Sequence, residues 1–371
     1  MTSARTADEG VPNGGVPPVG PGRPGPRPLT LVVLLAVVGS IIGAASFRVP
    51  YYSISPGSAL DVSSLVKVGT GAPDFPPKGA VYMCTVSLQR TTILQAVRGW
   101  LDPTVDVVKE QVIKPKDVTS KDLRTYNLHV MDTSKEQALG VAFEQLGYDA
   151  IKGKGAQVVQ IVKGSPADGP LAPGDSIVAV DGTPTEFSPE AVRLLHAHHP
   201  GDTVRLTVRP DKAEATKEVT VKLGANPDDP KQPQLGVTLT STPPTFAFPY
   251  KVDIASQQIG GPSAGLAFTL EILDVLTPGE LTGGRKVAAT GTIELDGSVG
   301  EVGGVAQKAV AVEEAGVELF LVPRAEVAEA RKHASKKLRI EPVDDLQDAL
   351  RILSTFGGNG LALDKVGPDG A

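Results

Sequence analysis

The stretch IGGPSAGLAFTLEILDVL, residues 259–276, decides how this chain is read. Two glycines and a proline lead the backbone into an apolar run long enough for a helix, and Ser263 stands in its expected first turn. The first turn of a helix leaves backbone N–H groups unpaired. Ser263 therefore has two readings, an ordinary helix cap or a nucleophile beside donors able to hold an oxyanion. A nucleophilic serine needs a base, and the only histidine after it, His333, lies in the hydrophilic stretch EARKHASKK. Lysine is the other documented base. In GSVGEVGGVAQKAVAVEEAGVELFLVP, residues 297–323, a helix over 304–315 puts Lys308 on one face with Gly304, Val305, Ala311, Val312 and Ala315, while Glu313 and Glu314 point away. Burial there favours the neutral amine. Lowering a lysine from about 10.4 to about 7.5 costs roughly 4 kcal/mol, which buried lysines tolerate. The alternative is a lysine that snorkels along its apolar stem to water.

Residues 236–355 alternate strand-like runs (LFLVP, LRIEPV) with amphipathic helical runs (AEVAEARKHAS, DDLQDALRILS), which predicts an α/β or α+β layer. The segments GGPSAG, ATGTIELDGSVGEVGGVAQK and AGVELFLVP together resemble the proteolytic domain of the Lon family, over about residues 236–345. That resemblance implies that Ser263 is the nucleophile and Lys308 the general base of a Ser-Lys dyad. It also implies that Thr290 orients the lysine and that Gly261, Pro262 and Ala264 support the nucleophile. Two departures stand out. The motif G-x-x-x-x-G-K-[ST] of an ATPase does not occur, and GYDAIKGKG fails it in spacing and last residue. Thr292 also stands where the family carries an acidic residue.

Upstream, from about Tyr126 to Leu223, short β-rich runs with one helical stretch, SPEAVRLLHAH, replace this pattern. AQVVQIVKGSPADGPLAPGDSIVAVDGTP and the later HPGDTVRLTVRP resemble a bacterial PDZ domain. The resemblance implies a peptide groove between the strand Val158–Val162, with Val158, Val159 and Ile161, and the helix near Pro189–His198, with Val192 and Leu195. An extended peptide adds to such a groove as an extra strand. The same resemblance places GAVYMCTVSL, residues 79–88, in the protease sheet, with the PDZ domain inserted after it.

The N-terminal region carries PLTLVVLLAVVGSIIGAASF, in which about 19 residues without charge are long enough to span a bilayer as a helix. Arg23 and Arg27 before it predict a cytoplasmic N-terminus and an extracytoplasmic body. A cleaved signal peptide is the alternative. The expected organisation is a disordered tail (1–28), a transmembrane helix (29–47), a juxtamembrane and first protease segment (48–125), the PDZ domain (126–225), the Lon-like domain (236–355) and a flexible tail (356–371). In TTILQAVRGWLD, residues 91–102, Ile93, Leu94, Val97 and Leu101 recur at helical intervals, and this face with Trp100 is expected in the core.

The net charge of −6 without a basic block argues against nucleic acid as a partner, and a single cysteine, Cys84, excludes an internal disulfide framework. His196, His198 and His199 lack acidic or cysteine partners at ligand spacing, so no metal and no cofactor is expected. The expected partners are unfolded or extended polypeptides, the membrane through residues 29–47 and, by resemblance, further copies of the chain in a ring. The expected fold class is an α/β Lon-type proteolytic domain with an inserted β-rich PDZ domain, preceded by one transmembrane helix. Expected function is ATP-independent serine endopeptidase action on extracytoplasmic polypeptides. Two rivals are a tethered PDZ scaffold with an inert protease-like domain, and an α/β-hydrolase using Ser263, Asp296 and His333 through G-x-S-x-G.

Overall fold

The computed structural model describes residues 28–256 and 258–360. The expected N-terminal tail up to residue 27 and the C-terminal residues from 361 onward lie outside the described residues. In chain order the elements that position the site are helix α1 (Pro28–Ser46), strand β1 (Arg48–Asp61), β2 (Ala80–Thr92), helix α2 (Ile93–Leu101), β3 (Asp106–Lys109) and helix α3 (Ser120–Gln145). Then come β4 (Ala156–Ile161), β5 (Ser176–Val180), α4 (Ser188–His196), β6 (Thr203–Arg209), β7 (Lys217–Lys222) and β8 (Val237–Ser241). The C-terminal part adds α5 (Gly265–Leu276), β9 (Lys286–Ala289), α6 (Val305–Glu314), β10 (Leu319–Pro323), α7 (Val327–His333), β11 (Arg339–Val343) and α8 (Leu346–Thr355).

One six-stranded sheet has the order β11-β10-β9-β2-β1-β3. β2, β9, β10 and β11 run parallel, and β1 pairs antiparallel with both β2 and β3. The strand holding GAVYMCTVSL thus lies at the centre of a sheet whose other parallel strands come some 200 residues later. Alternate side chains explain why both faces are covered. Val81, Met83, Val287, Ala289, Leu319 and Leu321 face α3, α5 and α8 in one core cluster, while Cys84, Ala288, Phe320 and Val322 face α6 and α7 in another.

The second sheet is antiparallel, in the order β7-β6-β5-β4-β8. Its core holds Ile177, Leu206 and Val204 under Ala191 and Leu195 of α4. β8 lies beyond the boundary expected at residue 225, so the inserted sheet takes its last strand from the segment assigned to the protease.

Three further expectations are corrected. Residues 120–145 form one helix rather than the start of a β-rich region, because Thr119 and Asp122 make a reciprocal capping box and the helix buries Met131, Ala138, Leu139, Ala142 and Phe143. The apolar face of α2 does not enter the core. Its small residues Ala96 and Gly99 do, and Trp100 is 61% exposed. The first residues of the expected C-terminal tail are held in place: the Asn359 N–H donates to Glu280, and Arg285 stacks 4.1 Å over the Phe356 ring.

Every residue of α5 is buried, including Glu271 and Asp274. The Leu281 N–H donates to Asp274, whereas Glu271 Oε2 has no partner among the described residues. Burial, with the Asp274 charge adding to it, pushes Glu271 up to about 8. A carboxyl raised above its unfolded value gives stability that is complete below pH ~4.5 and lost as pH rises through about 8. Glu271→Gln should therefore match the parent in acid and exceed it above about pH 8, by on the order of 4 kcal/mol in chemical denaturation.

Candidate active site

Ser263 is partly exposed and sits in the turn before α5, not in its first turn. The N-cap position belongs to Ala264, and no side chain caps this helix, so Ser263 is not a capping serine. What holds it is α3. The Gly261 N–H donates to the Asn127 carbonyl at 2.8 Å, and Ser134 Oγ donates to the Pro262 carbonyl at 3.1 Å. Asn127, Met131 and Ser134 recur at helical spacing on α3 and bound the Ser263 loop from one side. Gly261 adopts φ +96°, a left-handed conformation that glycine accepts without steric strain.

Lys308 lies on α6, where it is 2% exposed. Its Nζ donates to Thr290 Oγ1 at 3.2 Å, and Thr290 Oγ1 donates onward to the Ser263 carbonyl at 3.3 Å. The Gly291 N–H reaches the same carbonyl at 3.0 Å. Thr290 directly follows β9, so the two side chains converge at the carboxyl end of a central parallel strand, where open α/β sheets bind their ligands. Burial lowers the Lys308 pKa below the ordinary lysine value, and the neighbouring Cys84 and Glu326 only partly oppose it. Cys84 itself is buried beside the amine, and that burial raises its thiol.

Ser263, Lys308 and Cys84 line one cleft of about 690 Å³, together with Met83, Met131 and Thr292. Within it two N–H groups expected to face an oxyanion are already used: Gly265 donates to Pro262 and Leu266 to Gly291. The N–H groups of Ser263 and Ala264 have no acceptor among the described residues and remain for that role. Thr292 hydrogen-bonds Glu294, and Glu301 lines the same cleft, so acidic side chains flank the position where the family's acidic residue is missing.

Asp296 and His333 are not brought to Ser263. Asp296 accepts bonds from Ser298 in a cavity on the side of α3 and α4, and His333 faces Glu329 on its own helix. This removes the triad expected for an α/β-hydrolase. His198 pairs with Asp181 at 3.1 Å, and His199 faces Asp202 at 3.7 Å.

Beside the inserted sheet Val192 and Leu195 of α4 line a groove of about 570 Å³. Val158, Val159 and Ile161 do not form its strand side. β4 is paired by β8 along Ala156–Ile161 and by β5 at Ala156 and Gln157, so β8 stands outside it as the outer strand. The edge facing α4 is β8, and Leu239 and Val237 line the groove there. The correction follows from a pairing between β4 and a strand some 80 residues later, which spacing along the chain does not reveal.

Two parts of the chain match known domain families. Residues 255–355 match the family model of the Lon protease (S16) C-terminal proteolytic domain, and residues 137–223 match that of the PDZ domain. The chain carries a Lon-type proteolytic domain and a PDZ domain. The Lon-type match contains Ser263, Thr290 and Lys308, whereas the PDZ match ends before β8. Lon protease 1 of Bdellovibrio bacteriovorus is 38% identical over 109 residues, which are 29% of this chain and 13% of that protein. Lon protease 1 of Myxococcus xanthus is 36% identical over 94 residues, 24% of this chain and 11% of that protein. The chain thus spans about an eighth of the length of these relatives. Among solved structures, the PDZ domain of the SdrC-like protein of Listeria monocytogenes is 28% identical, covers 23% of this chain and 86% of that one, and has a TM-score of 0.21.

Proposed function

We propose that the chain is a membrane-anchored serine endopeptidase that hydrolyses extracytoplasmic polypeptides without ATP, with Ser263 as nucleophile and Lys308 as general base. The observation that carries this reading is the buried Lys308 amine, bonded to Thr290 in the cleft that exposes Ser263. The lysine amine, held by Thr290, reaches Ser263 to start the reaction. The neutral amine takes the Ser263 proton, and the alkoxide attacks a peptide carbonyl. The Ser263 and Ala264 N–H groups hold the oxyanion. As the C–N bond breaks, the Lys308 ammonium protonates the leaving amine, and an acyl-serine remains. Lys308 then takes a proton from water, whose oxygen attacks the ester and releases Ser263 with its proton restored.

The decisive experiment is cleavage of an unfolded polypeptide with no nucleotide added. Cleavage that disappears in Ser263→Ala supports the proposal, and cleavage that survives in that variant, or none by the parent chain, overturns it. The same cleft without activity is the inert scaffold.

The PDZ domain is proposed to capture an extended C-terminal segment as an additional strand on β8. Val192→Glu places a charge in the groove under that strand. It should raise KM for a substrate with a free apolar C-terminus by about tenfold, and leave cleavage of a short internal peptide unchanged. The apolar run Leu29–Ser46, with a mean hydropathy of 2.4 and none of it buried, is long enough to serve as the anchor. Ring assembly of several copies belongs to the same reading, and the mass of the detergent-solubilised chain tests it.

A further inference from the structure

The orientation of α2 is inverted relative to an ordinary surface helix. Its small residues, Ala96 and Gly99, face the protein, where a Cβ on Gly99 would come within 2.6 Å of Val107. Its large apolar residues, Ile93, Leu94, Val97, Trp100 and Leu101, form one stripe at helical spacing and point outward, with Leu101 81% exposed. Such a stripe on a water-facing helix needs an occupant.

The surroundings say which. The Ile93 N–H donates to the Phe47 carbonyl at 3.1 Å, immediately after the end of α1. Leu94 lies against Val37 and Ile41 of α1, so the stripe continues the apolar surface of that helix, and exposed Phe47 extends it. Trp100 meets Tyr51 edge to face at 6.0 Å, and Arg48 and Arg98 stand at the border. Aromatic rings, arginines and an apolar face beside a spanning segment are the composition of the bilayer–water interface.

We propose that α2 is an interfacial helix: its stripe is buried at the headgroup level of the leaflet that α1 leaves, giving the protein a second attachment. This rests on reading α1 as a membrane span. β2 runs directly from the cleft residue Cys84 to the start of α2 at Thr92, roughly 26 Å at ~3.3 Å per residue. The helix therefore holds the cleft at a set height above the lipid, and selects polypeptide segments that reach that height.

Trp100 is the only tryptophan in the chain and reports on α2 without labelling. The full chain is reconstituted in phosphatidylcholine–phosphatidylglycerol vesicles, with either ordinary lipids or lipids brominated near the headgroup end of the acyl chain. The expected result is Trp100 emission at least about twofold quenched by bromolipid and protected from aqueous iodide. Leu94→Asp with Val97→Asp should restore iodide access while the chain stays in the vesicles. Free quenching by iodide overturns the proposal, and so does protection from both quenchers, which assigns the stripe to a second copy. Alkaline carbonate extraction separates the two readings. A chain stripped from vesicles in which Trp100 was quenched by bromolipid loses the anchor and keeps the interfacial helix. An integral chain with iodide-accessible Trp100 does the reverse.

Discussion

Lys308→Met lowers kcat/KM by about a thousandfold or more, and adding Ser263→Ala to it costs almost nothing further, because the two groups act as one unit. The same substitution makes the protein more stable. Lys308 is 2% exposed, and methionine fills a similar volume without an amine to desolvate. The sign of the pH dependence follows from the lowered pKa. The folded state holds fewer protons than the unfolded chain, so the penalty carried by Lys308 is complete below its folded pKa and fades as pH rises toward about 10.4. Denaturation curves should therefore show the largest gain for Lys308→Met near neutral pH and little gain at about pH 10. In the parent chain, Lys308 as the proposed base should set the acid limb of the rate. Activity rises with pH and levels off below the ordinary lysine range, because only the neutral amine accepts the Ser263 proton. A rate that is independent of pH from weakly acid to alkaline conditions would remove Lys308 from the role of base.

Thr290→Val has the second largest effect, and it works through position. Thr290 is fully buried, accepts from Lys308 at 3.2 Å and donates to the Ser263 carbonyl at 3.3 Å. Valine keeps the shape and removes the bridge. The amine then loses its only hydrogen-bond acceptor among the described residues, which costs about 1–3 kcal/mol of stability. With the lysine no longer aimed, kcat should fall by about ten- to a hundredfold while KM changes little. Thr290→Ser restores the hydroxyl and should recover most of kcat. Equal losses in the valine and serine variants would show that the methyl packing matters and the bridge does not.

The legible part of the site was local: the turn at Ser263 and the buried face of Lys308. Gly261, Pro262 and Ser263 stand in a local sequence that names the turn, and the periodicity around Lys308 predicts its burial, which the structure shows. The brace on the Ser263 loop was not legible. Asn127 and Ser134 reach Gly261 and Pro262 from a helix more than 120 residues earlier, in a region read as β-rich. The Thr119–Asp122 capping box was the local signal for that helix. Nothing in the local sequence indicates that its Asn127 and Ser134 face a distant loop.

The sequence by itself determined which segments are apolar, which turns need glycine, where a helix can span a membrane, and that Lys308 lies on an apolar helix face, because these depend on neighbours a few positions away. The tertiary structure alone decided what each face meets. Trp100 and Leu94 have the spacing of a core face and point outward, because Ala96 and Gly99 allow a closer approach to Val107 than large side chains would. Val158 and Ile161 lie on a strand whose open edge is covered by Val237–Ser241, which moves the groove beside the helix Ser188–His196 one strand outward. Periodicity states that a surface is apolar; only pairing across long chain separations states what covers it.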